Sequence, residues 1–279
     1  MLSAAQHEAV TSEAARPLQI LAGPGSGKTR VLTSRVAHLV RDSAAPIAPE
    51  RCVVVTFTNR AANEMRARLE TMIGADRTRR LVLGTFHAVC VRFLRRWGTR
   101  LGLDPRFTIA DTDDARRLLR DVDRDAPVDA TLAAISRAKA HGWTPDELRA
   151  SAQHAPGSPA HTEHLALCRT YAAYQQQLRT SHALDFDDLL LLGVRLFREH
   201  PELTTHIDHV LVDEFQDTNA VQYELLRRLS RHVSVVGDPD QSIYSWRHAD
   251  VRHIERMHLD FPGLHRVLLE ENYRSTPQI

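Results

Sequence analysis

The stretch Leu18-Gln19-Ile20-Leu21-Ala22-Gly23-Pro24-Gly25-Ser26-Gly27-Lys28-Thr29 decides how the rest of the chain is read. An apolar run suited to a buried strand leads into a glycine-rich turn that closes on Lys-Thr. Residues Val31 to Val40 then carry apolar side chains at helical spacing. Ala22 to Thr29 fits G-x-x-x-x-G-K-[ST] with alanine at the first position, and strand, loop and helix in that order are what a phosphate-binding loop requires. Its glycines let successive N–H groups turn inward around an anion, and the helix N-terminus adds partial positive charge. Gly23, Pro24, Gly25, Ser26, Gly27, Lys28 and Thr29 are therefore the candidate phosphate contacts. Lys28 is expected to reach the β- and γ-phosphates of a nucleoside triphosphate, and the Thr29 hydroxyl to ligate Mg²⁺. The bland alternative is a glycine turn with a chance Lys-Thr. Against it, the 36 Lys and Arg residues include only two lysines, Lys28 and Lys139, as if a compact ammonium were needed here.

The length, 279 residues, is where a second domain becomes expected. A net charge of +1 gives no global attraction to nucleic acid, so any such contact must come from a local surface. Ser3, Gln6, His7 and Glu8 after Met1 do not resemble a signal peptide, and no stretch is long and apolar enough for a membrane span. Cys52, Cys90 and Cys168 form neither a zinc pattern nor a disulfide framework, which points to a reducing, cytoplasmic setting without membrane partners.

Taken in order, Ala4 to Ala15 reads as a short amphipathic helix on which Gln6, by itself, is a surface glutamine. Cys52 to Phe57 is a β-branched run without alternation, a strand covered on both faces, followed by Asn59 as cap of a helix from Ala61 to Met72. Leu81 to His87 repeats the design before a helix from Ala88 to Trp97. From about Arg106 the texture changes to successive helices broken by Pro127, Pro145, Pro156 and Pro159. Alternation returns with strands at His209 to Val212, Val233 to Val236 and Val267 to Leu269. This predicts a doubly wound parallel α/β sheet carrying an inserted helical domain.

Asp213-Glu214, at the end of an apolar strand, is the expected second phosphate-site motif. Asp213 would hold Mg²⁺ through water, and Glu214 would take a proton from attacking water, which describes hydrolysis. An acidic pair at a strand end is more often merely solvated; the phosphate loop on the same chain reverses that reading. Gln241 ends the next strand and is either a sensor of the γ-phosphate or a solvated turn residue. The aromatics Phe57, Tyr244 and Trp246 lie at or past strand ends, where bases of single-stranded nucleic acid could stack on them. Thr56, Thr58, Asn59, His87 and Arg247 could hold the phosphates. The alternative is that these rings are core.

Together the motifs resemble those of the superfamily 1A DNA helicases, the UvrD/Rep/PcrA group. The resemblance rests on Leu2 to Gln6, Gly23 to Thr29, Val55 to Met65, Gly84 to His87, Leu184 to Leu190, Val212 to Asn219, Val236 to Arg247 and Glu271 to Thr276. It implies a RecA-like P-loop NTPase domain 1A over residues 1–107 and 184–279, with a mainly helical subdomain 1B at 108–183. It implies ATP and Mg²⁺ as cofactors, single-stranded DNA and single-strand/duplex junctions as partners, and 3′→5′ movement with unwinding. By the same resemblance Gln6 reads the adenine, Arg30 and Tyr273 contact the base, and Arg274 is an arginine finger. Gln241 couples ATP state to DNA, Phe57, Tyr244 and Trp246 form the stacking track, and His87 and Asn59 lie near the DNA backbone. Two departures are mild: Arg60 stands where the family has lysine, and Pro239 where many relatives have aspartate. The third is length, because the family's second RecA-like domain would lie beyond Ile279. The chain is thus expected to be the N-terminal half of a motor, weakly active or inactive alone, its other half supplied by a C-terminal part or a partner protein. The rivals are a non-motor module that binds ATP and single-stranded DNA, and the motor part of a helicase–nuclease.

Overall fold

The computed structural model describes residues 2–152, 155, 157–230, 232–241 and 252–273. In chain order the helices and strands are α1 (Ala4–Thr11), β1 (Leu18–Ala22), α2 (Lys28–Ala37), β2 (Cys52–Thr56), α3 (Asn59–Ile73), α4 (Ala75–Arg80), β3 (Val82–Thr85) and α5 (Phe86–Trp97). Then come β4 (Thr108–Ile109), α6 (Thr112–Val122), α7 (Val128–Ala140), α8 (Pro145–Ala150), α9 (Pro159–Thr180), β5 (Ala183–Leu184) and α10 (Phe186–Glu199). The last are β6 (His209–Val212), α11 (Ala220–Leu229), β7 (Val233–Gly237), α12 (Arg252–Asp260) and β8 (His265–Leu269).

The chain divides into two compact units, one of residues 1–89 with 197–279 and one of residues 90–196. Both cuts fall inside helices, α5 and α10, whereas the bounds that the resemblance implies fall at 107 and 183.

The first unit is built on six strands in the order β3-β2-β6-β7-β1-β8, every neighbouring pair parallel. Val54 of β2 lies level with Leu211 of β6, and Leu21 of β1 with Gly237 of β7. All residues of β2, β6 and β7 are buried, as expected for strands covered on both faces. On one face Leu18, Ile20, Cys52, Val54, Leu211, Val236 and Val267 pack with Val31, Leu32 and Val36 of α2 and Met65 and Leu69 of α3. Because the strands run the same way, the loops after β1, β2, β3, β6 and β7 share one edge, where open α/β sheets bind ligands.

A buried arginine ties the first helix to this sheet. Arg35 of α2 has no carboxylate partner among the described residues; it donates to the carbonyls of Ala9, Val10 and Ser12 and to Ser234 Oγ at 2.6–3.2 Å. The end of α1, rich in unpaired carbonyls, is a natural seat for a cation. Burial lowers the Arg35 pKa to about 10. This use of the Ser12 carbonyl accompanies an end of α1 at Thr11, short of the expected Ala15.

The second unit has its own core of Leu119, Ile135, Ala138, Leu148, Cys168, Tyr171, Tyr174 and Leu178 from α6 to α9. It also holds a two-residue parallel ladder, Thr108 with Ala183 and Ile109 with Leu184; the run Phe107 to Ile109 reads as a short strand in the sequence, whereas its partner does not. No helix among the described residues is long and apolar enough to cross a membrane.

Candidate functional site

The loop between β1 and α2 takes the shape its glycines allow. Gly25 and Gly27 have φ of 74° and 87°, and Gly27 caps α2 without side-chain help. A Cβ at Gly27 would also lie 3.2 Å from Gln6 Nε2, so glycine is required there twice over. Ser26 Oγ closes the turn onto the Gly23 carbonyl at 2.7 Å. Pro24 and Arg30 are exposed, and Tyr273, 57% exposed, donates its backbone N–H to the Gly25 carbonyl at 3.0 Å.

Gln6 is not the surface residue its helix pattern suggests. It is 2% exposed, its Oε1 accepts from Ser3 N at 3.1 Å in a capping box, and its Nε2 donates to the Ser26 carbonyl at 2.9 Å. The residue thus props the loop; Nε2 carries a second hydrogen that could meet a base.

The ends of β6 and β7 face this loop. Lys28 Nζ lies 3.3 Å from the Ala22 carbonyl and 3.5 Å from Asp238 Oδ2. Thr29 Oγ1 lies 3.5 Å from Asp213 Oδ2, so the two candidate metal ligands from distant parts of the sequence stand together. Glu214 follows in the left-handed region at φ 49°, a strained conformation for a non-glycine residue and one that clusters at functional sites. The Asp213 carboxylate accepts from Glu214 N at 3.1 Å, and Gln216 Nε2 donates to Glu214 Oε2 at 2.9 Å. Gln241 donates its amide to Asp238 Oδ2, so it is held at the loop-facing turn rather than left in solvent.

The electrostatics favour an added cation. Burial, and next the Glu214 charge, push the Asp213 pKa up to about 7, although Lys28 opposes this. The same two causes push Asp217 up to about 6, and its Oδ1 is buried without a hydrogen-bond partner. Asp213, Glu214, Asp217 and the ion-paired Asp238 thus crowd one ammonium. The Thr29 hydroxyl and Asp213 carboxylate are hard oxygen donors of the kind Mg²⁺ takes when phosphates and water complete its shell. The residues fit that ion.

At the β2 and β3 ends of the same edge, the Phe57 ring is half-buried and meets Phe86 edge-on, with centroids 5.6 Å apart. Thr56 is fully buried and bonds the Thr58 carbonyl, so it is part of the turn. Thr58, not Asn59, caps α3: its hydroxyl accepts from Ala61 N at 3.1 Å, and Asn59 is the first helical residue, exposed. His87 is half-buried, and burial lowers its pKa. Tyr244, Trp246, Arg247 and Arg274 lie outside the described residues. Two residues without an assigned role in the sequence reading belong to this site, Asp238 as the partner of Lys28 and Gln216 as that of Glu214. Both stand in quoted motifs, but only the packing of β6 against β7 shows what they touch.

Residues 2–262 match the family model described as the UvrD/REP helicase N-terminal domain. The protein named ATP-dependent DNA helicase PcrA from Leuconostoc citreum is 42% identical over 277 residues, covering 94% of this chain and 36% of that protein. The proteins of the same name from Staphylococcus epidermidis and Staphylococcus aureus are each 39% identical, covering 100% and 98% of this chain and 38% of theirs. The chain therefore spans little more than a third of the length of these relatives.

Proposed function

Because the chain belongs to the UvrD/REP helicase N-terminal domain family, we propose that it is the ATP-binding and DNA-gripping part of an ATP-dependent DNA helicase moving 3′→5′ on single strands. The observation that carries this is the meeting of the loop with the two strand ends: Thr29 against Asp213 and Lys28 against Asp238, with Glu214 beside them.

In this reading the loop N–H groups and Lys28 hold the β- and γ-phosphates of ATP, while Gln6, Arg30 and Tyr273 lie toward the base. Thr29 and Asp213 hold Mg²⁺, which when bound neutralises charge developing on the phosphates. Glu214 takes the proton of a water whose oxygen bonds to the γ-phosphorus as the bond to the ADP oxygen breaks. Gln241, tethered through Asp238, senses the γ-phosphate. Phe57 stacks on a base with Tyr244 and Trp246, and Thr58, Asn59, His87 and Arg247 hold the strand. Arg274 and a second RecA-like wall, for which the longer relatives have room, close on the nucleotide.

The test is direct. The chain should bind a fluorescent ATP analogue with Mg²⁺ and a labelled single strand. Glu214→Gln should keep nucleotide binding and lower any hydrolysis by roughly 10²–10⁴-fold, the usual worth of a general base. Failure of the unaltered chain to bind nucleotide removes the reading. For the DNA side, Phe57→Ala should cost about 1–3 kcal/mol of single-strand affinity in an anisotropy titration. Unchanged affinity with a lower melting temperature would assign the ring to packing against Phe86 instead.

A further inference from the structure

Gln216 has no part in the chemistry above, yet it is 2% exposed and both ends of its amide are engaged. Nε2 donates to Glu214 Oε2 at 2.9 Å, and Oε1 accepts from Asp238 N at 3.0 Å. Beyond it, Asp238 organises the next turn. Its carboxylate accepts from Asp240 N at 3.1 Å and from the Gln241 amide, and its carbonyl accepts from Gln241 N at 3.1 Å. One side chain therefore joins the candidate base after β6 to the candidate sensor turn after β7.

The neighbouring strand is shaped for this link. A Cβ at Gly237 would stand 2.8 Å from Gln216 Oε1, closer than real Cβ atoms come, and a tight 3.2 Å from Gln216 N, so the amide would have to shift. Glycine here serves close approach, not an unusual φ. The chemistry also selects an amide. Glutamine donates to a carboxylate and accepts from an N–H at once; a carboxylate in its place would repel Glu214, and an apolar chain would leave both groups unpaired.

We propose that Gln216 is a positioning residue: it holds Glu214 in place and passes the state of the bound nucleotide to the Asp238–Gln241 turn. This rests on the nucleotide-hydrolysing reading of the site. A nucleotide arriving at the loop changes the charge facing Glu214 and Lys28. The Glu214 carboxylate is bonded to Gln216, and Gln216 to Asp238 N, so a shift of one strand end shifts the other. The ion pair of Lys28 with Asp238 supplies a parallel contact but does not touch Glu214.

Hydrogen exchange over residues 237–241, compared with Mg²⁺ plus ADP and with Mg²⁺ plus a non-hydrolysable ATP analogue, tests this without turnover. Affinities are measured separately with a fluorescent nucleotide. In the unaltered chain the two nucleotides should give different exchange at this turn. Gln216→Leu should bind both within about threefold of the parent, exchange roughly tenfold faster at Asp238 and no longer distinguish them. Gln216→Glu, which keeps an acceptor for Asp238 N, should retain the resting protection and lose the nucleotide response. If Gln216→Leu does not fold, this second variant decides, with Gly237→Ala expected to behave as Gln216→Leu should, because displacing the amide oxygen frees Asp238 N. The idea is overturned if the unaltered chain binds both nucleotides without differing at 237–241, or if the variants discriminate as the parent does. No nucleotide binding by the parent would remove the functional reading itself, and this inference with it.

Discussion

Lys28→Ala is expected to weaken binding of an ATP analogue with Mg²⁺ by roughly two to three orders of magnitude, about 3–4 kcal/mol, while the chain stays folded. Charge-assisted bonds to phosphate are worth about 1.5–3 kcal/mol each, and an ammonium between the β- and γ-phosphates makes more than one. The fold should tolerate the change because little in the core depends on this group. Its contacts are the Ala22 carbonyl and Asp238, and Asp238 keeps its bonds from Asp240 N and the Gln241 amide. Lys28→Arg should be nearly as harmful: a planar guanidinium cannot occupy the space of a point charge in a tight loop. Titration of a fluorescent nucleotide, paired with a thermal melt, separates binding from stability. Unchanged affinity in Lys28→Ala would dismiss the loop as a phosphate site.

The loop was legible in the sequence because its determinants are local. Two glycines with positive φ, a lysine and a hydroxyl follow one another along a few residues, and the strand and helix on either side announce themselves by pattern. The parallel sheet was legible for a similar reason, since strands buried on both faces leave unbroken apolar runs. Hidden were features that depend on what lies across space. Thr58 and Asn59 are both good cappers, and it is Thr58 that stands extended before the first turn with its hydroxyl taking the Ala61 N–H. Gln6 looks like a surface residue until Gly27 closes over it. Gln216 gains its role from the contact of β6 with β7. The partner of Thr108-Ile109 is a two-residue segment more than seventy residues away, with no pattern of its own. Lysine is rare throughout the chain, and that rarity marks Lys139 as much as it marks Lys28.

Lys139→Met is expected to destabilise the unit of residues 90–196 by about 3–5 kcal/mol at neutral pH, the usual consequence of removing one partner from a buried ion network. The Lys139 side chain is fully buried, with Nζ 2.6 Å from Asp185 Oδ2 and 2.7 Å from Asp188 Oδ1, and it lies over the rings of Tyr171 and Tyr174. Asp185 and Asp188 also cap the start of α10 reciprocally: Asp188 N donates to Asp185 Oδ1 at 2.9 Å and Asp185 N to Asp188 Oδ2 at 3.3 Å. Tyr174 Oη and Gln175 Nε2 donate to the same carboxylates. Burial alone would lower the lysine pKa; the charges of Asp188 and Asp185 outweigh it and hold it above its ordinary value. Asp188 is raised, chiefly by burial, despite the lysine.

Without the ammonium, the carboxylates lose the group that opposes that rise. The folded variant then binds more protons than the unfolded chain at pH values above the ordinary carboxylate range, so its stability must fall as pH rises. The parent, in which Lys139 opposes the rise of Asp188, should show a smaller fall. Denaturant melts of both proteins at pH 5 and pH 8 test this, followed by tryptophan fluorescence, since Trp97 and Trp143 lie in this unit. The deficit of Lys139→Met should be larger at pH 8, and adding Asp188→Asn should recover part of it by removing one stranded charge. A deficit that is equal at both pH values and unmoved by Asp188→Asn would mean that the lysine contributes packing rather than charge. In that case the rarity of lysine in this chain would say nothing about where a compact cation is needed.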